Sequence, residues 1–183
     1  FNPVRWQRRP DGTLMPIRTG KETGLGALTV AKPTPLYTRV EFNGTTGTPE
    51  TPQYRFKVTR EAERQAARRL PTTFSVSSVG NKNTVFLVRE IRPKENPTEF
   101  VLELVEGNEV ITVTREQPFA RVAGYTVDLK YEPEKLSFNG KRVGDALSFG
   151  GETHKIVAIT ETNITVATTP NNKRTTIAYQ PAR

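Results

Sequence analysis

Apolar and polar residues alternate with a period of two along most of this chain, and Gly, Asn or Pro cuts the alternation every few residues. A period of two places successive side chains on opposite faces of a strand, so each run predicts a half-buried strand and each cut a turn. LYTRVEF (36–42) and YRFKV (54–58) are the first such runs, joined by the loose turn NGTTGTPETP (43–52). TFSVSSV (73–79) precedes the turn GNKN, and TVFLVREI (84–91) is apolar enough for a buried strand. FVLELVE (100–106) and EVITVTRE (109–116) flank Gly107-Asn108, a hairpin signal. YTVDLKYE (125–132) follows. Beyond it, Asn139-Gly140, Gly150-Gly151, ETN and PNNK separate roughly five short runs, the spacing of a small barrel or sandwich.

Two stretches break this rhythm. Residues 1–35 carry five prolines and several glycines with no sustained period, which predicts a basic flexible arm with at most a short strand over Leu25–Val30. TREAERQAARRL (59–70) predicts the one helix. Thr59 is its N-cap, Glu61 and Glu63 sit in the positive first turn, Arg68 and Arg69 in the negative last turn, and Pro71 stops it. Its apolar stripe is thin: Ala62, Ala66 and Leu70. Arg60, Arg64 and Arg68 recur every four residues and would form a basic stripe about 80° wide. They are the candidate partner-binding residues.

The expected fold is therefore all-β with one short helix, built of antiparallel β-sandwich or small-barrel modules. The expected divisions are the arm at 1–35, a β-rich domain at 36–132 holding helix 59–70, and a small β module at 133–183.

Charge sharpens this division. The formal net charge is +8, but residues 1–70 hold 13 Lys and Arg against 6 Asp and Glu, and the remainder 14 against 13. The basic character belongs to one end of the chain. Trp6 among Arg5, Arg8 and Arg9 has the make-up of a base-stacking, phosphate-binding cluster, yet no RNA-binding motif accompanies it. The favoured reading of this end is docking onto an acidic partner or anionic headgroups, and nucleic acid is the minor one. No run of about 18 apolar residues occurs. The chain opens on Phe1, so we expect a processed piece whose membrane anchor lay in a segment absent from it.

Candidate chemistry is sparse. The chain has no cysteine, which excludes disulfides, zinc–thiolate sites and cysteine nucleophiles. His154 is the single histidine, and alternation sets it on one strand face with Ile156 and Ala158. It reads as a strand-edge residue, not a ligand or general base. Asp145, after Gly144, reads as an acceptor of backbone N–H groups that fixes a turn. Asp128 reads as solvent-facing. Glu99, Glu103, Glu106, Glu109 and Glu116 show no catalytic or metal-loop spacing. Gly140, Gly144, Gly150 and Gly151 sit between strands and read as structural turns, not a phosphate loop. No catalytic residue, metal or cofactor is expected.

The succession RVGDALSF, HKIVAI, NITVA and KRTTIAY, from Arg142 to Tyr179, resembles the periplasmic β-domain of the PilP/GspC family. Members of that family join the inner-membrane platform of type IV pili or type II secretion systems to the outer-membrane secretin. The whole chain is also similar to pilus-like proteins encoded with a secretin in verrucomicrobial bacteria. The resemblance implies a non-enzymatic adaptor in the periplasm or cell envelope, with secretin or pilus-platform proteins as partners. Two other readings of the strand pattern stand beside it: an immunoglobulin-like adhesin or fibre subunit, and an SH3-like nucleic-acid-binding protein.

Overall fold

A computed structural model describes residues 5–8, 12, 14–17 and 23–181. The chain divides into two compact units, one of residues 36–123 and one of residues 1–35 with 124–183. The strands in order are β1 (Arg5–Arg8), β2 (Leu14–Ile17), β3 (Leu28–Val30), β4 (Thr34–Gly47) and β5 (Pro52–Arg60). Then come β6 (Thr72–Val76), β7 (Phe86–Arg92), β8 (Glu99–Leu104), β9 (Val110–Thr114) and β10 (Phe119–Tyr131). The last five are β11 (Leu136–Lys141), β12 (Ala146–Phe149), β13 (Glu152–Ile159), β14 (Asn163–Thr169) and β15 (Lys173–Ala178). The fold is all-β, its described strand pairs antiparallel, and none of its sheets closes into a barrel.

In the unit of residues 36–123, β4–β5–β6 and β7–β8–β9 are two meanders. Their inward residues share one core. Val40, Tyr54, Phe56, Val58 and Val76 come from the first meander, and Phe86, Val88, Phe100, Leu102 and Val113 from the second. Phe56 is its aromatic centre, meeting Phe100 edge-on at 5.0 Å and Phe86 at 5.5 Å. Edge-to-face contact suits the ring quadrupoles, so these pairs add to the area they bury.

In the other unit, β10 carries β3 and β11 on its two sides at Leu129–Tyr131, while β12–β13–β14–β15 forms a meander. Leu28, Val30, Leu129 and Tyr131 share a second core with Leu147, Phe149, Ile156 and Ile164. The Tyr131 hydroxyl is satisfied inside it, accepting the Gly24 N–H at 3.0 Å.

Four expectations are corrected. Residues 59–70 form no α-helix: β5 runs on to Arg60, a turn follows, and only Ala66–Arg69 makes a 3-10 turn. Helix propensity loses here because a stripe of two alanines and one leucine offers too little burial, and Leu70 stays 66% exposed. The arm at 1–35 is not free of the fold over its described end, since Leu28 and Val30 are core residues of the second unit. The division placed at 132/133 falls at 123/124, inside β10, because that strand continues without a turn through Tyr125–Tyr131. Asn139-Gly140 is not a turn between strands either. β11 passes straight through it, with two residues opposite Asp128 and Gly140 at φ +59°, a β-bulge of the kind glycine permits.

Candidate functional site

The site begins where the expected helix fails. Arg60 ends β5 opposite Thr38, and Glu61 extends the pairing by one step. Its N–H donates to the Tyr37 carbonyl at 2.9 Å, and its carboxylate accepts the Tyr37 N–H at 2.8 Å. The backbone then reverses, with the Glu63 N–H donating to the Arg60 carbonyl at 3.2 Å. Arg69 holds the reversal from inside: Nε donates to the Glu63 carbonyl at 2.7 Å and Nη2 to the Arg64 carbonyl at 2.8 Å. One guanidinium thus replaces the missing helical ladder over this turn.

The turn forms a wall of an open cleft of about 530 Å³ within the unit of residues 36–123. Arg60, Glu63, Arg64, Glu106, Arg121 and Val122 face it. Arg60 Nη1 lies 2.8 Å from Glu63 Oε1, and Arg121 pairs with Glu109. Arg64 is exposed and makes no ion pair among the described residues, and Val122 leaves 42% of its surface in solvent. The arrangement presents two guanidinium forks oriented by carboxylates, a third uncommitted, and an apolar side chain beside them. That is recognition chemistry for carboxylates and other planar anions.

The structure therefore brings together two of the three arginines singled out in the sequence. Arg68 is exposed on the 3-10 turn and does not face the cleft. No continuous basic stripe exists, because the four-residue spacing needed a helix to align it. Arg121, Glu106 and Glu109 were not readable as members of the site. Arg9 and the side chains of Arg5 and Trp6 lie outside the described residues, while Arg8 is exposed.

The remaining candidates are structural. Asp145 Oδ2 accepts the Arg142 N–H at 2.8 Å, and the Gly144-Asp145 backbone pairs with Ile156 through bonds of 2.7 and 2.9 Å. Gly150 and Gly151 join β12 to β13 at φ +62° and +75°. A Cβ on Gly150 would also stand 3.3 Å from the Tyr131 hydroxyl, a tight contact, so both the positive φ and the limited space favour glycine there. Asp128 is exposed, and its carboxylate accepts the Gly140 N–H at 2.6 Å across the bulge. Glu103 pairs with Arg89 and Glu99 with Arg92, which commits them to strand surfaces.

His154 is not at an edge exposed to solvent; it is 1% exposed. Its ring stacks on Phe149 at 4.4 Å, and Nδ1 lies 2.9 Å from Thr168 Oγ1. Nε2 is buried without a hydrogen bond, 3.9 Å from the Glu152 carboxylate. Burial pushes the imidazole below its ordinary pKa, and the Glu152 charge opposes this more weakly. Ala158 does not share its face, because a register shift between Ile156 and Ala158 turns Ala158 outward and Ile159 inward. Among the described residues, no three His, Cys, Asp or Glu side chains gather as a metal site.

Compared with known proteins, the chain matches no family model, no curated protein and no solved structure.

Proposed function

We propose that this chain is a non-enzymatic adaptor that binds protein partners in an extracytoplasmic, type IV pilus-like or secretin-linked assembly. The observation that carries the protein-binding part is the arginine-lined cleft. Arg60 and Arg121 are pre-positioned by Glu63 and Glu109, Arg64 is uncommitted, and Val122 is exposed alongside. Arginine is among the residue types that dominate interface hot spots, and guanidiniums already held in place lose little entropy on binding. The envelope setting comes from the resemblance carried by Arg142–Tyr179.

Affinity capture from a solubilised envelope fraction tests this reading. The protein should retain a secretin or pilus-platform component, Arg64→Glu should lower the yield at least tenfold, and Arg174→Glu on β15 should leave it unchanged. Capture of no such component, or equal capture by Arg64→Glu, rejects the reading.

A further inference from the structure

In the unit of residues 36–123, β6 is the last strand of its sheet, pairing β5 on one side only. Among the described residues, no backbone hydrogen bond outside the β5 ladder reaches Thr72–Val76. Alternate residues of such a strand turn their N–H and C=O groups outward, and folded proteins usually blunt these rows with charge, shortness or a covering loop. Those devices appear at other edges of this chain. β15 starts with Lys173-Arg174, β12 has four residues, and segment 80–83 covers β7 through Gly80 N–H to Val88 O at 2.8 Å and Val88 N–H to Asn81 O at 2.9 Å. The sequence of β6 is TTFSV, uncharged throughout.

The two faces beside this edge differ. Inward lie Phe74, half-buried, and Val76, buried, both in the aromatic core. Outward lie Thr73 and Ser75, exposed and small, with Lys57 and Arg55 directly behind them on β5. Among the described residues Arg55 makes no ion pair, and Lys57 is 3.7 Å from Glu41. At β9, another terminal strand of this unit, the strand behind offers Glu99, Val101 and Glu103 at the equivalent places. Those two glutamates pair with Arg92 and Arg89 of β7, so the charge beside β9 is balanced. Leu70 and Val79, 66% and 58% exposed, stand in the segments just before and after β6.

We infer that β6 accepts an extended acidic segment of a partner protein as a further strand of the β4–β5–β6 sheet. The segment alternates apolar with carboxylate side chains. Its apolar residues continue the core beyond Phe74 and Val76, while its carboxylates lie over Thr73 and Ser75 within reach of Arg55 and Lys57. Main-chain pairing supplies affinity, and the alternation fixes register. A second copy of this chain is a poorer occupant of β6, because pairing β6 with β6 brings like-charged faces together, and at β9 the carboxylates are already committed to Arg89 and Arg92. The inference rests on the protein-binding reading but uses a different surface from the cleft.

The probe is a seven-residue peptide alternating glutamate and valine, capped at both ends, with a lysine–valine counterpart and a single-stranded oligonucleotide as controls. Amide hydrogen exchange on the whole chain reports occupancy of the edge. The acidic peptide should slow exchange of alternate amides in Thr72–Val76 by tenfold or more, and the controls should not. Arg55→Glu combined with Ser75→Glu, both on the outward face, should weaken peptide binding at least tenfold, whereas Arg64→Glu should not change it. No protection of β6, equal binding of the lysine peptide, preferential binding of the oligonucleotide, or protection arising from self-association overturns the inference. If envelope partners are captured through Arg64 while β6 stays unprotected, the adaptor reading survives and this inference falls.

Discussion

At the scale of residues, His154 joins burial to a titratable group. Its pKa lies below the ordinary 6.5 because the buried ring resists charging. As pH falls, the unfolded chain takes up the proton first. The stabilisation is therefore complete above about pH 6.5 and is lost as pH falls from there through the folded pKa, at up to about 1.4 kcal/mol per pH unit. Urea midpoints between pH 7.5 and 4.5 should show wild type losing ground to His154→Gln as the solution is acidified. A constant gap between the two would reject this account. Gly47 makes a second test. It adopts φ +89° where β4 turns toward β5, and a Cβ there would stand 2.4 Å from the Thr51 carbonyl oxygen. Gly47→Ala should cost about 1–3 kcal/mol in chemical denaturation, whereas Gly44→Ala meets no such obstruction and should cost less.

At the scale of elements, the turn after β5 separates what the local sequence prefers from what it forms. TREAERQAARRL has the caps, charges and residue types of a helix. An isolated helix of this length is marginal in water, and its apolar side is too thin to be held by packing. Extending β5 to Arg60 and letting Arg69 bind the Glu63 and Arg64 carbonyls satisfies the backbone instead. Ala66→Pro distinguishes the two. Inside an α-helix it would cost about 3 kcal/mol or more, but at the first residue of the 3-10 turn, after Gln65 at φ −80° and ψ 125°, it fits. The melting temperature should move little, while Arg69→Ala should loosen the turn and raise exchange of the Glu63–Arg68 amides. The strand runs, by contrast, were legible because two-residue alternation directly encodes a buried face. Alternation misled where a bulge inserts a residue, as between Ile156 and Ala158 and at Asn139-Gly140. No local composition distinguishes a glycine in a bulge from one in a turn.

At the scale of the whole molecule, two cores without a shared residue define two units. One unit is continuous in sequence and contains its entire core, so a 36–123 fragment should fold on its own, with dispersed amide signals and a cooperative melt. Phe56→Ala should remove about 3–5 kcal/mol from it, since the ring is fully buried among aromatic partners. In the full chain, the same substitution should leave the acid response of His154 intact, because that residue belongs to the other unit. The second unit combines residues from both ends of the chain. Its make-up was illegible in a pattern read from one residue to the next.

The sequence by itself determined that this protein is a β structure of short antiparallel strands with most of its surplus positive charge toward one end. Alternation, turn residues and charge act over a few neighbouring positions, so they can be read locally. Only the tertiary structure decided that residues 59–70 would not be a helix, that Leu28 and Val30 would join a core with β12–β15, and that His154 would be buried. It also set Arg60 and Arg64 facing Arg121 and placed β6 at the end of its sheet, paired with β5 alone among the described strands. Each of those outcomes depends on contacts between residues far apart in the chain, where burial and pairing outweigh local preference.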